Sequence, residues 1–491
     1  MTGQLQHTLL VQKQAAMRQP IPDVAQRRAA LARLEGMVHC HADRMQRALM
    51  EDFGNRARPE TVLAEILPLL DAIAYARARV GRWMRPRRVP VGLRFQPGRA
   101  WVEIRPAGCV GIVSPWNYPF LLSLQPVVDA LAAGNRIMLK PSELAPACAG
   151  LLAIMLGDEF DRAEIAVTPG DATVGRAFCA LEFDHLLFTG STGVGRAVMQ
   201  EAAARLVPVT LELGGKSPAL LCPDSVADAA ARRRTAHSLA VGKFFNAGQT
   251  CLAPDFVLVP RAHLDATAHA LAEAAARLYP TLAGNADYTA QISERHLDRL
   301  AGLVDDAERR GLPILRHPED RADRRAEQRA QRRLPPTVVV LPDLGEATRS
   351  ASVMQEEIFG PVLPVLPYDT LDEALTFLDA RPVPLGLYCY TDDPAQQRRV
   401  LDRTRSGGVT VNGTLLHCAQ PGLPFGGFGQ SGTGAYHGHA GFLRFSHRRA
   451  VYRPGRFSGF TWMTPPHGAM TRRALAVMLG GSRARPPATR P

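Results

Sequence analysis

Three side chains with the chemistry to act on a carbonyl stand in short runs of small and apolar residues. Cys251 lies in FFNAGQTCLAP, Glu212 in LELGGKSP and Asn117 in GIVSPWNYPF. A thiol set beyond a helix, near free backbone groups, can be activated as a nucleophile. A carboxylate with no other charge in its run until Lys216, at an apolar strand end, keeps its proton longer than in water, which suits a general base working near neutral pH. A side-chain amide held after a buried strand can donate to a developing oxyanion. Each also has a plainer reading. A buried cysteine packs as a small hydrophobe, and an asparagine beside a proline is an ordinary turn residue.

A second group of residues fits a phosphate-bearing ligand. HLLFTGSTGVGR, residues 185 to 196, runs from a strand through Gly190, Ser191, Gly193 and Gly195 into a helix. Free amides at a helix N-terminus attract phosphate, and glycines there let a pyrophosphate come close. The spacing is not GxGxxG, and a plain tight turn would look the same. IMLKPSE places Lys140 and Glu143 just past another buried strand, at the same sheet end. Glu143 can accept from ribose hydroxyls and Lys140 can donate to them; a surface ion pair at a helix start is the alternative.

These residues need a frame that gathers strand ends. From 107 to 205, strands VGIVSP, RIMLKP, EIAVTPG and HLLFTG alternate with helices expected over 120 to 133, 145 to 158 and 193 to 204 and one short helix. That alternation predicts an α/β fold with a Rossmann-like parallel sheet, whose ligands bind beyond the C-terminal strand ends. PVTLELGG opens a second stretch of the same kind, so a cofactor domain is expected over 1 to 210 and a second α/β catalytic domain over 211 to 410. A return segment to the cofactor domain follows at 411 to 455, then a flexible basic tail at 456 to 491. Residues 5 to 85 read as amphipathic helices. VGLRF, the turn PGR and AWVEIRP read as a β-hairpin within 89 to 105, suited to a subunit contact. The charge-dense run 317 to 336 reads as a solvated loop or frayed helix.

Composition narrows the class. The chain has 491 residues, 46% of them hydrophobic and 21% charged, as in a soluble globular protein. Its eight cysteines are scattered without CxxC pairs, which argues for a reducing, cytoplasmic setting and against a disulfide framework or a metal site. No secretory signal is visible, and no apolar run approaches the roughly 18 residues that span a bilayer. The net charge is +12, but only four of the 58 basic residues are lysines, and many arginines fall on ordinary helical faces. That pattern is a drift toward arginine rather than a nucleic-acid-binding stripe.

Taken together, PWNYP, KPSE, FTGSTGVG, LELGGKSP, GQTCLAP, EEIFGP at 356 to 361 and PFGGFGQSGTGAYHG at 424 to 438 follow the motif order of the aldehyde dehydrogenase superfamily. The resemblance runs from about residue 5 to about 455. It is greatest to the class 3 branch and, through RWMRPRRV and GGVTVNGTLLHCAQ, to the bacterial coniferyl aldehyde dehydrogenases. Gly413, where an acidic residue is expected in that subgroup, and the 317 to 336 insertion depart from it. The resemblance implies Cys251 as nucleophile, Glu212 as general base and Asn117 as oxyanion donor. It implies cofactor contacts at Trp116, Lys140, Glu143, Gly190, Ser191, Gly195, Glu357 and Phe359. NAD is the implied cofactor, with NADP possible, and the implied partners are an aldehyde substrate and a second copy of the chain in a homodimer. The expected reaction is oxidation of an aromatic or medium-chain aldehyde to the acid through a thioester. The alternatives are a CoA-acylating dehydrogenase, and a non-catalytic nucleic-acid or membrane-binding role.

Overall fold

Strands buried on both faces decide the architecture. CVGIV, RIMLK and HLLFTG are buried almost throughout, as strands covered by helices on two sides must be. In the computed structural model, which describes residues 2–92, 95–456 and 463–479, they belong to a six-stranded sheet. Its order is Gly432–Thr433, Val209–Leu213, His185–Gly190, Cys109–Val113, Arg136–Lys140 and Ile165–Val167. All neighbours are parallel except the return strand Gly432–Thr433, which pairs antiparallel with Gly432 opposite Glu212.

A second sheet of seven strands has the order Ile314–Arg316, Thr337–Val340, Val362–Tyr368, Phe256–Pro260, Pro218–Leu221, Gly386–Tyr390 and Gly408–Val411. Only its edge strand Ile314–Arg316 runs antiparallel. The expected boundary near residue 210 falls inside a strand of the first sheet. The chain passes to the second sheet only between Leu213 and Pro218, through the diglycine of LELGGKSP. The strand carrying Glu212 therefore belongs to the first sheet, next to its edge strand, rather than opening the second.

Helices Thr2–Arg18, Val24–Phe53 and Leu67–Trp83 form the N-terminal layer. A capping box of Asp23 and Gln26 starts Val24–Phe53, and Gly54, at φ 73°, ends it in the left-handed region. Asp52 near that end caps a different helix, Pro146–Glu159, by accepting from the N–H groups of Ala147 and Cys148, both at 2.9 Å. A four-residue helix Arg58–Thr61 and a π turn Val62–Ile66 then lead into Leu67–Trp83.

Residues 84–105 and 447 onward form a separate small unit. Its sheet orders Arg87–Val89, Arg99–Pro106 and Ser446–Arg453. The hairpin expected here exists, but its first strand is RRV at 87 to 89, not VGLRF, with Arg87 opposite Val102. Turn hydrogen bonds from Phe95 N to Gly92 O and from Gly98 N to Phe95 O draw that run into the connection, and residues 93 and 94 lie outside the described residues. Within the expected tail, residues 469 to 478 form a helix, Ala469–Met478. Residues 457 to 462 and 480 to 491 lie outside the described residues.

The 317 to 336 run is not simply a solvated loop. It carries a short helix, Arg325–Ala330, and three of its polar side chains are buried: His317, Gln328 and Arg333. His317 bonds the carbonyl of Tyr279, and Arg333 that of Leu282. Arg332 reaches the carbonyls of Ile292 and Phe53 at 2.9 and 2.7 Å. Charge density marked solvent exposure in the sequence, whereas backbone carbonyls supply partners that no side-chain pattern reveals.

Candidate active site

Helix Ala229–Phe244 ends in a turn that aims the chain at Cys251. Asn246 and Ala247 hold φ of 52° and 50°, and Gly248 holds 77°. Left-handed geometry is costly for residues with a Cβ and persists only where the surroundings enforce it. Here they do. The Asn246 N–H donates to Glu60 at 3.1 Å, and the Asn246 side chain donates to the carbonyls of Asn117 and Gln249 at 3.3 and 3.1 Å. The buried Gln249 amide donates to Asn246 O and Ala290 O, both at 3.0 Å, and accepts from Ile292 N–H. At Gly248 a Cβ would lie 2.3 Å from the carbonyl oxygen of Gly360, so only glycine fits.

Asn117 follows strand Cys109–Val113 and is buried. Its Nδ2 donates to Gln249 O at 3.2 Å, which orients the amide toward the Cys251 loop. Tyr118 next to it shares a 2.6 Å hydroxyl bond with Thr250. Glu212 is buried on Val209–Leu213, and neither of its carboxyl oxygens has a hydrogen-bond partner. Burial pushes its pKa well above the ordinary value, with the Arg444 charge acting weakly the other way. Thr189, its neighbour across the sheet, also has an unpartnered buried hydroxyl.

Cys251, Glu212 and Asn117 share the wall of one cavity of about 230 Å³. Trp116, Glu357 and Phe359 border it too, as do Gly190 and Ser191. The Trp116 ring meets Phe359 at 5.4 Å and His296 at 5.1 Å between centroids. Glu357 accepts from Gly215 N–H and rests on bare backbone, since a Cβ at Gly214 would lie 1.9 Å from its carboxylate. Its pKa is raised to about 8, by burial first and then by the Asp255 charge.

Two expectations change in detail. The Cys251 thiol is not activated in the free site: burial, then the Glu357 charge, push its pKa up. The helix before it presents its C-terminus, the end with negative partial charge, which gives a thiolate no help. The glycines of FTGSTGVG also divide their work. A Cβ at Gly195 would meet Leu213 at 2.5 Å and one at Gly190 would meet the Phe188 ring at 2.6 Å, so both are needed for close packing, Gly190 while also bordering the cavity. Only Gly193 faces open space.

Lys140 and Glu143 do not line the cavity. They sit at the end of Arg136–Lys140, two strands from His185–Gly190, with the buried Lys140 Nζ 2.7 Å from the half-exposed Glu143 carboxylate. Burial pushes Glu143 upward, but the Lys140 hydrogen bond and its own N–H outweigh this and hold it below the usual carboxylate range. The set suits a dinucleotide: a donor and an acceptor at one strand end, the free N-terminus of helix Thr192–Ala203 with open space at Gly193, and a cavity leading to Cys251.

Several supporting residues had no role assigned to them from the sequence. Lys216 bonds Asp255 and the carbonyls of Val353 and Glu356, the latter two at 2.7 and 2.8 Å, while Asp255 accepts from Ile358 N–H at 2.9 Å. Arg299 reaches the Glu356 carboxylate and the carbonyls of Glu357 and Ile358. Together they clamp the EEIFGP turn. Lys243 is fully buried with an unpartnered Nζ, and burial lowers its pKa to about 8.

Comparison with known proteins agrees with this geometry. The model of the aldehyde dehydrogenase family matches residues 12–451. The chain is 46% identical over 476 residues to a probable coniferyl aldehyde dehydrogenase of Pseudomonas aeruginosa, covering 96% of each. A substrate-bound Staphylococcus aureus AldH structure superposes with a TM-score of 0.87 at 32% identity, over 96% of this chain and 99% of that one. A Mycobacterium tuberculosis aldehyde dehydrogenase complexed with NAD+ superposes at 0.80 and 26% identity, over 93% and 91%. A cysteine, an unpartnered carboxyl and an oriented amide meeting beyond the ends of a parallel sheet thus have their counterpart in sequence, and this chain belongs to the aldehyde dehydrogenase family.

Proposed function

We propose that the chain oxidises an aromatic aldehyde such as coniferyl aldehyde to the carboxylic acid, with NAD(P) as cofactor and Cys251 as nucleophile. The observation that carries this reading is the single cavity in which Cys251, Glu212 and Asn117 meet, with both Glu212 oxygens free. The Cys251 thiol gives up its proton to solvent, its sulfur bonds to the carbonyl carbon, and the electron pair of the broken C=O π bond makes the former carbonyl oxygen an alkoxide. The Asn117 amide, oriented by Gln249, donates to that oxygen. When bound, NAD(P) supplies the hydride acceptor that no side chain here offers. Trp116, Glu357 and Phe359 border the space it would enter, and Lys140, Glu143, Ser191 and the Gly193 turn are the residues that would hold its ribose and phosphates. The thioester left on Cys251 is opened by water. Glu212 takes the water's proton, the C–S bond breaks, and the acid leaves while the sulfur regains a proton.

A carboxylate at Glu212, in the same cavity as Cys251 and with both oxygens free, can take the proton of an attacking water, a role that transfer to CoA does not need, which favours hydrolysis. The decisive assay scans an aldehyde panel with NAD+ and NADP+, with and without CoA. NADH or NADPH formed from coniferyl aldehyde without CoA is expected; a strict CoA requirement would replace this reading with the acylating one.

We also propose a homodimer. The strand Ser446–Arg453 lies at an edge of its sheet and is largely exposed, a surface that invites pairing with another chain. Light scattering at micromolar concentration should give twice the chain mass. A cytoplasmic setting and no nucleic-acid partner complete the proposal. All eight cysteines are unpaired, and among the described residues no helix is long and apolar enough to cross a membrane.

A further inference from the structure

We propose that Arg56, just past helix Val24–Phe53, is the positioning residue that sets the Asn117 amide against Cys251. The proposal rests on the roles given above to Asn117 and Cys251. Arg56 is 1% exposed and is the largest of the fully buried side chains, yet it does not line the cavity. Burying a guanidinium is expensive unless partners compensate, so its partners indicate its purpose.

They converge on one stretch of chain. Arg56 Nη1 donates to the main-chain carbonyl of Asn117 at 2.9 Å, the oxygen that also accepts from the Asn246 side chain. Its guanidinium lies over the Tyr118 ring, 5.0 Å from the centroid, and over Phe53 at 4.8 Å. Its Nη2 faces Glu65 Oε1 at 3.6 Å, and Glu65 Oε2 accepts from the N–H groups of Phe120 and Leu121 at 2.8 and 3.0 Å. Carbonyl, neighbouring ring and following amides of the PWNYPF turn are thus fixed from one cluster.

The same segment also grips the nucleophile's loop. Glu60, four residues after Arg56, accepts from Asn246 N–H at 3.1 Å and from the Thr289 hydroxyl at 2.7 Å. The bond from Asn117 Nδ2 to Gln249 O closes the ring. The N-terminal layer therefore sets the distance between oxyanion donor and sulfur, although none of these three residues touches the cavity.

The test compares Arg56→Met and Arg56→Lys with the native enzyme in single turnover, enzyme in excess over coniferyl aldehyde and NAD+ saturating. The rate constant read this way does not depend on what fraction of chains has folded. Arg56→Met should slow it on the order of 100-fold, the scale of a small misplacement of reacting groups, and leave the KM for NAD+ unchanged. Arg56→Lys keeps the charge but not the planar fork, and should fall between. In an Asn117→Ala background either change should add less than about 3-fold, because the group it positions is gone.

A native rate in Arg56→Met, or a full additional loss on top of Asn117→Ala, overturns the proposal. If Arg56→Met yields no soluble protein, Arg56→Lys decides by the same two readings. A native rate in Asn117→Ala would remove the role of Asn117 itself, and this proposal with it. An impaired Asn117→Ala combined with additive Arg56 effects removes the proposal alone.

Discussion

The Arg56 cluster and the Cys251 cavity lie in one body, are both buried and are both rich in polar groups, yet they are finished differently. In the cluster Glu60 is bonded through both oxygens and Asn117 O receives two donors. Arg56 Nη2 and Glu65 Oε1, which make no hydrogen bond, face each other as an ion pair at 3.6 Å, and Arg56 Nε and Asn246 Oδ1 stay unmet. Around the cavity Glu212 has neither oxygen bonded, and the Thr189 hydroxyl beside it is equally bare. Leaving a buried group unmet costs on the order of 1–3 kcal/mol, and a fold carries that cost where other interactions offset it or where a ligand supplies the bond. The contrast lies in what stands beside the unmet atoms: packed protein and an opposite charge in the cluster, and at Glu212 and Thr189 the open cavity, where substrate, water or cofactor can supply the bond.

The contrast can be broken from the cavity side first. Cys251→Ala should bring turnover to background while the fold, read by circular dichroism, stays native. Glu212→Gln comes next. It should lower kcat on the order of 100-fold or more, yet leave the first single turnover within about 3-fold, because only the water step needs the base. Equal losses in both readings would show that Glu212 is needed before the thioester forms.

On the cofactor side Lys140→Met should raise the KM for NAD+ by about 10-fold, the scale of one charged hydrogen bond, with kcat kept. The smallest effect concerns pH. Burial and then Glu357 raise the Cys251 pKa, so alkylation of Cys251 in the free enzyme should keep rising past the ordinary thiol value of about 8.5. Glu357→Gln removes a negative neighbour, lowers the thiol pKa and should move that profile to lower pH; an unmoved profile would rule Glu357 out as a cause.

Cys251, Glu212 and Asn117 could be singled out because seven short motifs follow one family's order, where each run alone left a plainer reading open, and the parallel sheets because buried strands read as apolar runs. Arg56, Glu60 and Glu65 were not. In NRARPETVLAE they look like polar positions of an amphipathic helix, and only the π turn Val62–Ile66, invisible in periodicity, precedes partners more than fifty residues away for Glu65. The clamp formed by Lys216, Asp255 and Arg299 escaped for the same reason, since most of its acceptors are main-chain carbonyls, which every residue possesses. The hairpin's first strand was misplaced because VGLRF alternates like a strand, whereas Gly92 O and Phe95 N–H are joined in a turn.

The contact between Gly248 and Gly360 bears on any effort to redesign this pocket. With a Cβ at Gly248 lying 2.3 Å from the Gly360 oxygen, no side chain fits there, so a mutagenesis library should hold that position constant. Gly193 is the opposite case, with open space around it. A survey of substitutions should therefore recover folded variants at 193 that differ in cofactor affinity, and almost none at 248.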